Sequence, residues 1–429
     1  MTDTESPQVE PDPTADLRAY LDASPSPWHA VASSVLRLEA AGFGALDETD
    51  PWDDVPAAGY VVRGGALVAW RRPATAGALP LHIVGAHTDS PGLRVKPDPD
   101  VVRAGWRQLG VEIYGGVLLN SWLDRDLGIA GRVVDANGAA TLVDVHEAIA
   151  RVPQLAIHLD RDVNERGLVL DRHAHMTPVW ATALDVPFVD WLAVQAAAGD
   201  PAAGIEPAWW DLCLYDVQPA TVLGADRSLL ASGRLDNQVS CWAATTALAA
   251  AAPQGHTAMI ALFDHEEVGS ASTTGAAGPF LATVTERLQH AGGASHDDVH
   301  RALAGSSCVS ADNAHAVHPN YPERHDPDHA PLVNRGPAIK LNANQRYATS
   351  PDTAMLFRQA CARAGVPSQT FVSRNNVPCG STIGPLTATR LGISTVDVGV
   401  PQLSMHSARE VCGSADAVWL EAALCAYLS

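Results

Sequence analysis

Apolar residues recur at helical spacing in "ADLRAYLDAS" and again in "PWHAVASSVLRLEAAG", where a glycine closes the run. Two helices are therefore predicted near the start of the chain. "LHIVGAH", Leu81 to His87, is a short apolar run ending in small residues, which predicts a buried strand feeding a functional loop. From about Pro97 to Ala231 the pattern changes. "GVEIYGG", "GRVVDANGAATLVDV", "LAIHL" and "LCLYDV" are short strand-like pieces cut by Gly, Asn and Pro, and the Asn-Gly of "DANGAA" predicts a tight hairpin. After Gly233 the two periodicities alternate. "QVSCWAATTALAAAA" predicts a helix, "TAMIALFD" and "SCVSAD" strands, "PDTAMLFRQACARAG" a helix, "ISTVDVGV" a strand and "ADAVWLEAALCAYL" a closing helix.

Strands alternating with helices predict an α/β fold: a mixed, mostly parallel sheet flanked by helices, with an inserted, mainly β domain. The expected divisions are a flexible tail at 1–13, a first α/β segment at 14–96, the β insert at 97–231 and a second α/β segment at 232–429. In such sheets, sites form outside the carboxyl ends of the strands.

Composition narrows the class. A 429-residue chain with 47% hydrophobic residues supports a sizeable core and excludes wholesale disorder. A formal charge of -20 argues against nucleic acid and anionic membrane as partners, since both need a positive face. It also disfavours acidic substrates at long range. Seven cysteines without a C-x-x-C pair read as reduced thiols, the acidic, Pro-rich start is not a secretory signal, and no apolar run approaches the roughly 20 residues that span a bilayer. A cytoplasmic protein is expected.

The metal-capable residues at the ends of predicted strands are His87 and Asp89 in "GAHTDSPG", Asp236 in "SGRLDNQ", Glu266 and Glu267 in "FDHEEVGS", Asp312 in "SADNAHAVHPN" and His406 in "SMHSARE". Imidazole mixed with carboxylate, without thiolate, points to zinc, manganese or cobalt at a catalytic site. Two ions about 3.5–4 Å apart, sharing a water or hydroxide, need about three ligands each with one carboxylate bridging. Two histidines and three carboxylates satisfy that count. The plainer readings are a core histidine for His87 and helix caps or turns for Asp236 and Asp312; four strand ends carrying hard ligands together bring the metal reading level with them. His173, His175, His325 and His329 lie in polar loops and carry no assigned role.

Glu266 and Glu267 stand side by side. If the strand breaks there, both can face one cleft, one binding a cation and the other taking a proton from water; spacing does not say which. Of 28 basic residues only Lys96 and Lys340 are lysine. Lys340, in "PAIKLNANQRYATS", is either a snorkelling strand residue or a compact cation for an acidic substrate group.

At these motifs the sequence resembles the aspartyl aminopeptidase family of metallopeptidases, in particular bacterial members with dinuclear zinc. The resemblance rests on "LDASPSPWHAV", "GAHTDSPGLRVKP", "YGGVLLNSWLDRDLGIAGRV", "AIHLDRDVNERG", "SGRLDNQVSCWAA", "FDHEEVGSAS", "SADNAHAVHPNYPERH", "GPAIKLNANQRYATS", "VPCGSTIGP" and "DVGVPQLSMHSARE", in uninterrupted order from about residue 18 to the C-terminus. It implies a zinc-peptidase-like catalytic domain with an oligomerisation insert. It also implies two divalent ions, zinc ahead of manganese or cobalt, on His87, Asp236, Glu267, Asp312 and His406, with Asp236 as the bridge. Glu266 is then the general base and Asp89 the carboxylate that orients His87. His158 is lent to a neighbouring subunit's site, where it holds the substrate carbonyl, and Lys340 and Tyr347 line the pocket for the first side chain. The implied reaction is removal of N-terminal Asp or Glu from peptides with a free N-terminus, inside a homo-oligomer that is a tetrahedral dodecamer. The one departure in texture is "AGGASHDDVHRALAGSS", where a loose lid or surface helix is expected. Alternatives are a broader-specificity aminopeptidase, a carboxypeptidase or deacylase on the same scaffold, and a non-catalytic peptide-binding shell; the last would be marked by loss of a ligand or base, and none is lost.

Overall fold

The computed structural model describes residues 12–73, 77–183, 185–197 and 205–429. The expected tail lies outside the described residues except for Asp12 and Pro13. Asp12 is tied down, accepting hydrogen bonds from Thr14 and Arg18.

The α/β expectation holds. Nine strands form a mixed, mostly parallel sheet in the order Gly44–Ala45, Ala58–Arg63, Ala66–Arg71, Thr257–Phe263, Leu81–His87, Ser307–Ala311, Ser394–Gly399, Ala338–Leu341 and Gln369–Val372. Four consecutive strands at its centre, from Thr257–Phe263 to Ser394–Gly399, run parallel. They are apolar throughout because both faces are covered. Val84, Ala86, Ile260 and Leu262 pack with the helices Leu235–Ala250 and Ser414–Leu428, while Ile83, Met259, Ala261 and Phe263 pack with Phe280–Ala291 and Ile383–Leu391. Successive residues thus serve opposite faces, and each fully buried Leu, Ile or Phe stabilises by roughly 1.5–3 kcal/mol.

The helices begin and end where their sequences say. Ser26 and Ser350 cap helices that have proline in the first position, Pro27–Ala40 and Pro351–Ala364, and Gly365 closes the latter in the left-handed conformation. "AGGASHDDVHRALAGSS" holds the surface helix His296–Ala304, opened by a Ser295/Asp298 capping box.

A second, six-stranded antiparallel sheet runs Ala140–Ala150, Leu127–Val134, Trp209–Asp216, Gly92–Arg103, Trp106–Tyr114 and Val179–Ala181. It has its own core, in which Leu127, Ile129, Leu212 and Leu214 pack beneath Phe188 and Leu192. "DANGAA" turns as a hairpin: Asp135 receives the amides of Asn137 and Ala139 on its carboxylate. "LAIHL" is not a strand but ends in a single 3-10 turn, Ile157–Leu159. It has no strand partner among the described residues, and Leu155, Ile157 and Leu159 remain exposed. A third sheet of five short strands joins Thr221–Leu223, Leu229–Ser232, Glu410–Gly413, Pro401–Leu403 and Ala314–His315. No helix among the described residues is long and apolar enough to cross a membrane.

Candidate metal centre

Three adjacent strands of the large sheet stop at the same edge. Leu81–His87 ends on His87, Ser307–Ala311 is followed by Asp312, and Thr257–Phe263 runs into a sharp turn. In that turn His265 takes a left-handed backbone (φ 63°) and starts a 3-10 turn, Glu266–Val268. Such a conformation costs about 1–2 kcal/mol for a residue with a Cβ. It also breaks the strand's alternation, so the adjacent glutamates need not point to opposite faces. Asp236 and His406 do not end strands of this sheet. Asp236 opens the helix Leu235–Ala250, across a cis Asp236–Asn237 peptide, and His406 lies in the loop between Pro401–Leu403 and Glu410–Gly413.

These elements converge. The Nε2 atom of His87 is 3.4 Å from Asp236 Oδ1 and 3.7 Å from Asp312 Oδ1. The Nε2 atom of His406 is 3.7 Å from Asp236 Oδ2 and 3.4 Å from Glu267 Oε2. One carboxylate therefore presents one oxygen to each histidine. Both rings are fixed from behind, His87 Nδ1–H donating to the Asp89 carbonyl and His406 Nδ1–H to the Gly116 carbonyl, each at 3.0 Å. Both Nε2 lone pairs are thus turned inward. Gly115 and Gly116 permit this approach: a Cβ on Gly115 would stand 3.1 Å from Glu267 Cβ, and one on Gly116 3.2 Å from His406 Nδ1.

The residues fit divalent cations. Donors on one tetrahedral zinc, bonded at about 2.0–2.1 Å, stand about 3.3–3.4 Å apart, close to the separations here. Asp236 Oδ1 and Glu267 Oε1 are buried and receive no hydrogen bond. An acceptor stranded in this way loses about 1–3 kcal/mol unless something positive meets it. Burial, with the charges of Asp312, Asp89 and Asp236 and against that of His87, pushes the Glu266 carboxyl up to about 8. Burial and the Asp236 charge push Glu267 well above its usual range. A bound cation reverses the sign of these effects.

Asp89 does more than face His87, whose Nδ1 is 3.6 Å from its Oδ1. Its two oxygens receive the backbone N–H groups of Glu266 (3.0 Å) and Glu267 (3.1 Å), and Tyr114 Oη–H donates to it at 2.7 Å. Glu266 is half-buried, and among the described residues its carboxylate has no hydrogen-bond or ion-pair partner. Lys340 is only 2% exposed, so it is not a snorkelling residue. It donates to the Asn313 carbonyl (3.1 Å), stands 3.6 Å from Asp312 Oδ2 and lies 5.1 Å from the Tyr347 ring centre. Burial works to raise Asp312, but Lys340 and His87 hold it well below the usual carboxylate range. His158 is exposed on its 3-10 turn and, among the described residues, contacts none of the cluster through a hydrogen bond or ion pair.

Sequence reasoning missed Glu410. This buried carboxylate receives the backbone N–H groups of Asp236 (2.9 Å) and His406 (2.7 Å). It lies four residues past His406 in "SMHSARE", yet only the fold brings it to Asp236. Also missed was a cleft of about 570 Å³ lined by Arg346, Arg374, Asn376 and Cys379. It adjoins Tyr347, whose phenol is pushed up by burial and by its contact with Cys379.

Comparison with known proteins places the chain. A family model described as aminopeptidase I zinc metalloprotease (M18) matches residues 20–427. The chain is 54% identical over 420 residues to a probable M18 family aminopeptidase 2 of Streptomyces coelicolor, covering 97% of each. Among solved structures it is similar to the chain in the cryo-EM structure of the Ape4 and Nbr1 complex, at 32% identity and TM-score 0.92, covering 97% of this chain and 85% of that one. It is also similar to the chain of the S. cerevisiae mApe1 dodecamer, at 29% identity and TM-score 0.82, covering 97% and 96%. With nearly its whole length matched by the family model and by a relative above half identity, the chain belongs to the aminopeptidase I zinc metalloprotease (M18) family.

Proposed function

We propose that this M18 zinc aminopeptidase hydrolyses the first peptide bond of peptides with a free N-terminus, preferring N-terminal Asp or Glu, with two divalent ions and Glu266 as general base. The observation that carries the two-ion reading is Asp236, whose oxygens stand 3.4 Å from one histidine and 3.7 Å from the other. His87, Asp312 and Asp236 would hold one ion, and His406, Glu267 and Asp236 the second, with zinc ahead of manganese or cobalt. When bound, such ions polarise the scissile carbonyl and acidify water. Glu267 is assigned as a ligand because it faces His406. Glu266 is assigned as the base because no protein group occupies its carboxylate; it takes a proton from the attacking water and returns it to the leaving amine. Asp89 holds both glutamates by their backbone and orients His87.

Lys340 carries the acidic preference, with Tyr347 beside it. Its pairing with Asp312 means that it supports a ligand as well as any substrate carboxylate. His158 would reach a neighbouring subunit's site. That assignment is supported by its exposure here and by the exposed apolar side chains of Leu155, Ile157 and Leu159 around it. The same surface suits assembly into a homododecamer, a reading supported by the dodecamer of S. cerevisiae mApe1. Residues 14–96 and 232–429 are proposed as the catalytic domain and 97–231 as the assembly insert, although strand Gly92–Arg103 begins ahead of that boundary. A cytoplasmic location suits the seven unpaired cysteines.

The test is zinc content per chain together with a panel of Asp-, Glu-, Leu- and Lys-p-nitroanilides and N-acetylated peptides. At the zinc concentration that just saturates activity, about two zinc ions per chain and a requirement for the free amine are expected. Cleavage of acetylated substrates at equal rate would overturn the aminopeptidase reading. Lys340→Met should raise KM for Asp substrates well beyond that for Leu substrates; an equal rise removes Lys340 from the specificity pocket.

A further inference from the structure

A second group of metal-capable side chains lies away from this centre, where helix Phe280–Ala291 meets the stretch "AGGASHDDVHRALAGSS". Helix Phe280–Ala291 carries Glu286 and His290 one turn apart, and His296 is the first residue of helix His296–Ala304, after a Gly292-Gly293 turn. One donor atom from each of the three lies within 4.8 Å of the others. His290 Nε2 is 3.8 Å from Glu286 Oε1, and the His290 and His296 rings are 4.9 Å apart at 75°.

A separate observation concerns how His290 is held. Its Nδ1–H donates to the Ala294 carbonyl at 2.9 Å. This contact fixes the ring and its tautomer and leaves the Nε2 lone pair facing Glu286. A backbone carbonyl behind a histidine is the usual support of a metal-ligating imidazole, and His87 and His406 are held in the same way. The His296 ring and the Glu286 carboxylate have no other hydrogen-bond partner among the described residues.

We propose that Glu286, His290 and His296 form a further cation site, distinct from the catalytic pair, that takes zinc or a similar borderline ion. Two imidazoles and one carboxylate select zinc, copper or nickel over magnesium or calcium. Three protein donors leave a fourth position for water. The ion ties the two helices together across the Gly292–Ser295 turn. Because the unfolded chain lacks this arrangement, binding stabilises the fold.

The test dialyses the intact zinc-loaded protein and its variants against one zinc buffer and counts bound zinc per chain. The wild type should hold one ion more than His296→Gln and one more than His290→Gln, with peptide hydrolysis unchanged in both. His173→Gln, which removes an exposed histidine elsewhere, should match the wild type. Raising zinc beyond catalytic saturation should lift the unfolding temperature of the wild type but not of His296→Gln. If His290→Gln disturbs the turn, His296→Gln decides alone, since the His296 side chain is exposed. Equal zinc content in the wild type and His296→Gln overturns the site.

Discussion

The two halves of the candidate metal centre are built from different material but braced in the same way. His87, Glu266, Glu267 and Asp312 follow adjacent parallel strands, and Asp89 accepts the backbone N–H groups of both glutamates. Asp236 and His406 come from the loops and helix start around a small five-stranded sheet, and Glu410 accepts the backbone N–H groups of both. In each half one buried carboxylate brackets two backbone donors and so fixes two side chains. Hydrogen bonds to a charged acceptor contribute about 1.5–3 kcal/mol each, enough to set positions that loops alone would leave loose. Asp89 is two residues from His87, whose ring it faces, whereas Glu410 lies 174 residues from Asp236.

The largest effect should come from removing the one residue shared by both halves. Asp236→Ala takes an oxygen from each histidine's surroundings, so both ions should be lost and activity should fall below that of any other single variant. Retention of one tightly held zinc in this variant would break the bridging role. Next comes Glu266→Gln, which keeps shape and removes the proton acceptor. It should retain full zinc content and lose about 10²–10⁴ in kcat, the usual scale for a general base. Loss of metal instead of rate would exchange the roles of Glu266 and Glu267.

Most of the first half was legible in the sequence. "LHIVGAH", "TAMIALFD" and "SCVSAD" are apolar runs of strand length with metal-capable residues at their ends, and parallel sheets place such ends together. The turn at His265 was legible only as a possibility, since spacing cannot show where a strand's alternation breaks. The second half was legible as metal-capable residue types but not as architecture. Asp236 looked like a strand end and proved to be a helix start, because the strands of the small sheet are only two to four residues long and carry little periodic signal. "LAIHL" failed for a related reason: alternation predicts a strand only where a partner edge exists to receive it. Gly115 and Gly116 read as strand punctuation, and their close approach to Glu267 and His406 is a fact of tertiary packing.

The brackets themselves give the next prediction. Asp89→Asn and Glu410→Gln each replace one accepting oxygen by an amide that cannot accept, so one backbone N–H in each pair faces a donor. Changes to groups that support metal ligands usually weaken metal binding by about 10–100-fold. Both variants should therefore need more zinc for half-maximal activity while approaching wild-type kcat when zinc is saturating, except that Asp89→Asn also loosens Glu266 and should lose some kcat. Equal kcat losses in the two would show that the halves are not braced independently.

The smallest effect should come from a third bracket that supports no ligand. Asp416, fully buried at the start of helix Ser414–Leu428, accepts the backbone N–H groups of Asn334 (2.5 Å) and Gly336 (2.8 Å). Burial raises its carboxyl from the ordinary 3.8 to about 6, against the hydrogen bonds that lower it. A folded value above the unfolded one means that the stability this group contributes is fully present below about 3.8 and lost as pH rises through about 6. Between pH 7 and pH 5 the stability of the wild type relative to Asp416→Asn should therefore increase, by about 1 kcal/mol. Urea unfolding at the two pH values measures this difference, and zinc affinity should be the same in both proteins. A change in zinc affinity would mean that the helix end communicates with the metal ligands; a pH-independent difference would mean that the buried carboxylate is charged at both pH values. Either result would separate Asp416 from the two brackets whose geometry it shares.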